Sequence, residues 1–140
     1  MRKLNILIVD DIEDNIYSLK LLIEDSFNCN FYEATNAMEG LNIIMDKKID
    51  MVFSDVQMPG IDGFEFLSYL KSLKVTEDIP VILVSGINLS KKIVNKISKN
   101  EVEDFLSKPI DYDKLISSIN KIVNERNLYD TNEIGNRLIS

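Results

Sequence analysis

The stretch MVFSDVQMPGIDG, Met51 to Gly63, decides how the rest of the chain is read. Four residues of strand composition run into Asp55, and a Pro-Gly and an Asp-Gly pair follow within eight positions. An apolar run this short, bounded by turn residues, has the pattern of a strand covered on both faces. A carboxylate where such a strand meets a loop has two readings. It caps a helix or forms a turn, or it is placed there for chemistry.

Working outward, similar short runs alternate with helical patterns. LNILIVD (Leu4–Asp10), NFYEAT (Asn30–Thr35), MVFSD (Met51–Asp55), PVILVS (Pro80–Ser85) and VEDFLS (Val102–Ser107) read as five strands. The first, third and fourth are almost continuously apolar, as central strands are; the second and fifth mix in polar residues, as edges do. Helical spacing links Ile16, Leu19 and Ile23, then Gly40, Ile43 and Ile44, then Phe66, Leu67 and Leu70. Ile93, Val94 and Ile97 form a fourth pattern, and Leu115, Ile116, Ile119, Ile122 and Val123 a fifth. Parallel neighbours need crossovers, and those are right-handed. The expectation is therefore one doubly wound α/β domain over residues 2–126, with helices on both faces of a parallel sheet. Residues 127–140 are expected to be a C-terminal extension or the start of a truncated linker, being too poor in apolar residues for a second core.

Composition removes whole classes of function. The chain has 140 residues, enough for one well-buried core, with 45% apolar and 28% charged residues. A net charge of −7 argues against general binding to nucleic acid or anionic membranes. There is no histidine, which excludes Ser-His-Asp and Cys-His catalysis and histidine metal sites. The one cysteine, Cys29, has no partner for an internal disulfide and reads as a small strand-end residue. No apolar run approaches the ~18 residues of a membrane span, and no cleavable signal pattern opens the chain. The expected location is cytoplasmic.

Ligands of an open parallel sheet bind beyond the carboxyl ends of its strands. Strand one ends in Asp10-Asp11, strand three in Asp55 and strand four in Ser85-Gly86, while strand five runs into Lys108-Pro109. Adjacent strands lie ~4.8 Å apart, so these ends can share one small site. Clustered carboxylates call for a counter-charge, and oxygen-only ligands in a partly watery site favour magnesium over zinc. Magnesium takes one or two carboxylates plus a phosphate, so the pattern suggests a metal site that receives a phosphoryl group. Lys108 would face the phosphoryl oxygens, Ser85 would offer a hydroxyl, and Gly86 would leave room. Asp55 is then either a metal ligand or the nucleophile.

The motifs ILIVDDIEDN (Ile6–Asn15), EATNAMEGLNII (Glu33–Ile44), DVQMPGIDGFEFL (Asp55–Leu67), PVILVSG (Pro80–Gly86) and DFLSKPID (Asp104–Asp111) resemble the receiver domain of bacterial two-component response regulators. The resemblance covers about residues 3–125. It implies a flavodoxin-like sheet of order 2-1-3-4-5. It also implies that Asp55 accepts a phosphoryl group from a phosphohistidine on a sensor kinase or phosphotransfer protein. Asp11 would be a direct Mg2+ ligand, Asp10 would help position the metal, and the backbone carbonyl of Gln57 would be a further ligand. Lys108 would pair with the phosphoryl group, its bond to Pro109 being commonly cis in the family. Ser85 and Phe105 match the family's switch pair. Such a domain is a phosphoacceptor that assists its own phosphorylation and dephosphorylation, not an enzyme acting on a separate substrate.

Three positions depart from the family pattern. Glu101 and Val102 stand where Gly and Ala are common, and apolar Ile87, two past Ser85, cannot orient a water. The latter implies a longer phosphoryl lifetime than in the fastest members. The stretch Asn88–Asn100 carries four lysines and no acid, either a solvated face or a docking surface. Homodimerisation across the fourth and fifth helical patterns is common in the family. Competing readings are weaker. An Asp-based phosphatase of the haloacid dehalogenase type needs an acid where Gln57 stands, and a flavodoxin-like electron carrier needs a Ser/Thr-rich loop after strand one. A degenerate receiver acting as a scaffold would not be expected to keep Asp10, Asp11, Asp55, Ser85 and Lys108.

Overall fold

The computed structural model describes residues 3–86 and 102–128. Five strands form one parallel sheet: β1 (Leu4–Val9), β2 (Cys29–Ala34), β3 (Met51–Asp55), β4 (Val81–Ser85) and β5 (Asp104–Ser107). Their order is β2-β1-β3-β4-β5, with all four pairings parallel. This is the expected doubly wound sheet. Every residue of β3 and β4 is buried, and so is every residue of β1 except half-buried Asn5. β2 and β5 are the edges, as their mixed composition foretold.

The helices among the described residues are α1 (Glu13–Glu24), α2 (Ala37–Asp46), α3 (Gly63–Ser72) and α4 (Tyr112–Glu125). The α4 helix carries the fifth helical pattern of the sequence; the fourth, with its lysines, lies outside the described residues. Strand side chains alternate between faces, so two cores form. Ile6, Ile8, Phe53, Ile82 and Val84 meet Ile16 and Ile23 of α1 and Leu115, Ile119 and Ile122 of α4. Leu7, Val9, Val52 and Leu83 meet Ile44 of α2 and Phe66, Leu67 and Leu70 of α3.

Several strand boundaries differ by a residue or two from expectation. β1 stops at Val9, because Asp10 still donates its N–H to the Ala34 carbonyl (3.0 Å) but turns its carboxylate back onto the Ile12 N–H. β2 is shifted one residue earlier: Cys29 pairs with Leu4, and Thr35 leaves the ladder to bond Glu39. β4 starts at Val81, since Pro80 has no N–H to give, although its carbonyl accepts from Val52 (2.9 Å). β5 starts at Asp104 rather than Val102. Burial pushes the Cys29 thiol up to about 12, with Glu24 and Asp50 adding to it, so it is an inert strand-end group.

Three of the four described helices, all but α1, start on a side-chain cap. Asn36, Asp62 and Asp111 accept from the N–H groups of Glu39 (2.9 Å), Glu65 (2.9 Å) and Lys114 (3.1 Å). Asp62 is thus the cap of α3 that the Asp-Gly pair suggested. The turn after α3 is held by Lys71 Nζ, which donates to the carbonyls of Glu77 (2.9 Å) and Ile79 (2.7 Å). Thr76 adds a bond from its hydroxyl to the Leu70 carbonyl (2.5 Å).

Gly63 opens α3 directly against the end of β3. A Cβ there would sit 2.3 Å from the Asp55 carbonyl oxygen and 2.8 Å from the Val56 Cα, both backbone atoms with little freedom to yield. Gly63→Ala is expected to cost about 1–3 kcal/mol, the usual range for overpacking. The check is urea unfolding, with a lowered midpoint and an unchanged m-value.

Candidate functional site

The carboxyl ends of β1, β3, β4 and β5 bring the expected residues together. Asp10 and Asp55 are nearly buried, 5% and 8% exposed, while Asp11 beside them is exposed. Carboxylate oxygens of Asp10, Asp11 and Asp55 all lie within 4.8 Å of one another. Lys108 Nζ stands between two of them, 3.3 Å from Asp10 Oδ2 and 3.3 Å from Asp55 Oδ1.

Each side chain is positioned by its own element. Asp10 Oδ1 accepts from the Ile12 N–H (3.0 Å) and from Asn15 Nδ2 (3.4 Å), so the carboxylate is oriented from the first turn of α1. Asp55 ends a central strand whose neighbours are β1 and β4. Lys108 is brought in by its backbone N–H, which donates to the Ser85 carbonyl (2.8 Å), and its bond to Pro109 is cis. A cavity of about 20 Å³ lies among Ile8, Leu19, Phe53, Val84, Asp55 and Lys108, so the inner side of the site is apolar. Burial raises the Asp55 carboxyl above the usual aspartate range, and Asp10 pushes it further. The Lys108 charge and hydrogen bond and the Val56 N–H pull it partly back.

Ser85 is buried at 4% exposure and pairs in register with Ser107. Phe105 is half-buried, its ring 6.4 Å from that of Phe64 at 49°. Gln57 lies in the exposed loop after β3. Ile87 and Glu101 lie outside the described residues; Val102 packs against the α2–α3 core. Sequence reasoning assigned no role to Asn15 or Phe64. Asn15 could have been found, because it lies five residues beyond Asp10, in the first turn of the helix that follows.

A model of the response regulator receiver domain matches residues 6–120. The chain belongs to this family. The receiver domain is 32% identical over 119 residues to protein PilH of Pseudomonas aeruginosa, covering 84% of this chain and 96% of PilH. It is 36% identical over 109 residues to response regulator PleD of Caulobacter vibrioides, covering 76% of this chain and 23% of PleD. The chain spans about half or less of the length of several curated relatives it matches. Among solved structures, a response regulator receiver domain protein from Clostridium thermocellum superposes with a TM-score of 0.75 at 29% identity. That match covers 89% of this chain and 98% of that one.

Three carboxylates against one ammonium leave the receiver site with excess negative charge. Its donors are all oxygen, and one acid faces solvent. Such a set fits a hard divalent cation better than zinc or a redox metal. No helix among the described residues is long and apolar enough to cross a membrane.

The raised Asp55 carboxyl has a consequence for stability. The folded protein holds this proton to higher pH than the unfolded chain does. Stability is therefore lost as pH rises from the unfolded pKa through the folded one. Asp55→Asn removes that loss. At pH 7 without metal its urea midpoint is expected above the wild-type value, with the gap closing towards acid pH. Coincident midpoints at pH 7 would count against this account of the site.

Proposed function

We propose that Asp55 is the phosphoacceptor of this receiver domain, with a phosphohistidine of a sensor kinase or phosphotransfer protein as donor. The observation that carries this reading is the placement of one nearly buried carboxylate at the end of a central strand, 3.3 Å from Lys108 and flanked by two further acids. An Asp55 oxygen attacks the phosphorus as the phosphorus–nitrogen bond breaks. The product is an acyl phosphate, and the electron pair returns to the donor imidazole. Because the strand end is rigid, little motion is needed to align the nucleophile.

The chain's own residues divide the remaining work. Lys108 leaves the carboxylates to pair with the phosphoryl oxygens, and the Ser85 hydroxyl donates to the same group. Asp10, Asp11, Asp55 and the Gln57 carbonyl would hold Mg2+, which supplies charge neutralisation when bound. Phe105 turns inward behind Ser85 and alters the outer surface of β5 and its flanking helices. The domain assists its own phosphorylation and dephosphorylation rather than turning over a separate substrate. It works in the cytoplasm, without membrane or direct nucleic-acid contact. Residues 2–126 form the signalling unit and 127–140 a C-terminal extension or linker. Any pairing of two copies would use the surface from the fourth to the fifth helical pattern.

The test is intact mass after incubation with magnesium and acetyl phosphate. Wild type is expected to gain one phosphoryl group, only with magnesium, and Asp55→Asn none. Lys108→Ala should slow the gain on the order of 10²-fold, as loss of a charge-stabilising donor does. No gain in wild type would favour a scaffold. Magnesium at about 100 times its dissociation constant should also stabilise wild type by about 2.7 kcal/mol. Asp11→Ala should lose most of that shift in a thermal melt at the same magnesium concentration.

A further inference from the structure

Ser118 of α4 and Arg126 just past its end hold two consecutive residues, Asp104 at the start of β5 and Glu103 before it. Ser118, on the buried face of α4 and 5% exposed, donates its hydroxyl to Asp104 Oδ2. Two turns further on, Arg126 Nη2 meets Glu103 Oε1 at 2.9 Å, while its Nη1 donates to the Asp78 carbonyl (2.6 Å). The buried hydroxyl is conspicuous. Its helix neighbours Leu115, Ile119 and Ile122 are wholly buried and apolar, and a hydroxyl among them is costly unless it is bonded.

The other oxygen of Asp104 takes up the backbone. Asp104 Oδ1 accepts from the Phe105 N–H at 2.8 Å. β5 is an edge strand, so N–H groups on its outer side have no neighbouring strand to bond. Side chains alternate along it: Leu106 packs on the α1–α4 face and Phe105 on the α2–α3 face. One carboxylate therefore connects the buried face of α4 to the backbone of the residue whose ring lies on the opposite face of the sheet.

We infer that Asp104 and Ser118 are positioning residues for Phe105. The Ser118 hydroxyl fixes the Asp104 carboxylate, the carboxylate fixes the Phe105 amide, and the ring is thereby held beside Phe64. The consequence for switching rests on the reading of Phe105 given above. The position of its ring before phosphorylation is set from α4.

Hydrogen exchange of single amides in the metal-free protein tests this. In Ser118→Ala the Phe105 amide should exchange about tenfold faster, with the Leu106 amide and the urea midpoint little changed. Ser118→Thr, which keeps the hydroxyl, should restore protection; Asp104→Ala should remove it as Ser118→Ala does. The ring resonances of Phe105 should shift in both unprotected variants, with or without magnesium and fluoroberyllate. Unchanged Phe105 exchange in Ser118→Ala overturns the inference. So does equal acceleration of Phe105 and Leu106 in proportion to lost global stability, which would mark a merely structural bond. These readouts need no phosphoryl group, so failure of Asp55 to be phosphorylated would overturn the functional reading and leave this result standing.

Discussion

Two buried carboxylates share one ammonium group. Burial raises the Asp55 carboxyl first, repulsion from Asp10 raises it further, and Lys108 between the two only partly offsets both. Paired charges in a poorly solvated place are costly to assemble, and the cost is carried by hydrophobic cores on both sides of the sheet. The stored repulsion is also what makes the place receptive. A divalent cation, which brings compensating charge, would relax the repulsion between these carboxylates.

The fold makes this arrangement precise by fixing three strand ends before any side chain is chosen. Parallel pairing sets Asp10 beside Asp55, with Ser85 one residue beyond Val84, the partner of Asp55, and the Lys108 N–H joins β5 to this end of the sheet through the Ser85 carbonyl. Gly63 lets α3 begin in contact with the Asp55 carbonyl, so the loop after β3 is pulled tight and not left to wander over the acids. The helices contribute orientation: Asn15 from α1 reaches back to the Asp10 carboxylate.

Much of this was legible in the sequence. The continuous apolar runs of β1, β3 and β4 told central strands from edges, because burial on both faces leaves no room for alternation. Asp10, Asp11, Asp55, Ser85 and Lys108 could be grouped because each lies at or just past the end of a strand, and topology then does the rest. What escaped were contacts between residues on different elements with ordinary local roles. Phe64 looks like one more apolar residue near a helix start, and nothing in its spacing points to Phe105. Ser118 is a small polar residue in an amphipathic helix, which is unremarkable until its burial is known. Strand ends slipped by a residue or two where a side chain, as at Thr35, outcompeted the ladder for its backbone.

Lys71 and Thr76 bind the turn after α3 through carbonyls of Leu70, Glu77 and Ile79. Surface turns are ordinarily where a lineage adds or drops residues at little cost. Here an added residue would displace the acceptors from a lysine rooted in the helix, and so loosen the turn that leads into β4. The length of this turn thus bears on how firmly β4 is anchored, although the acids lie at the opposite end of the sheet. A graft or loop exchange that spared every acidic residue would still weaken that anchor by changing the turn.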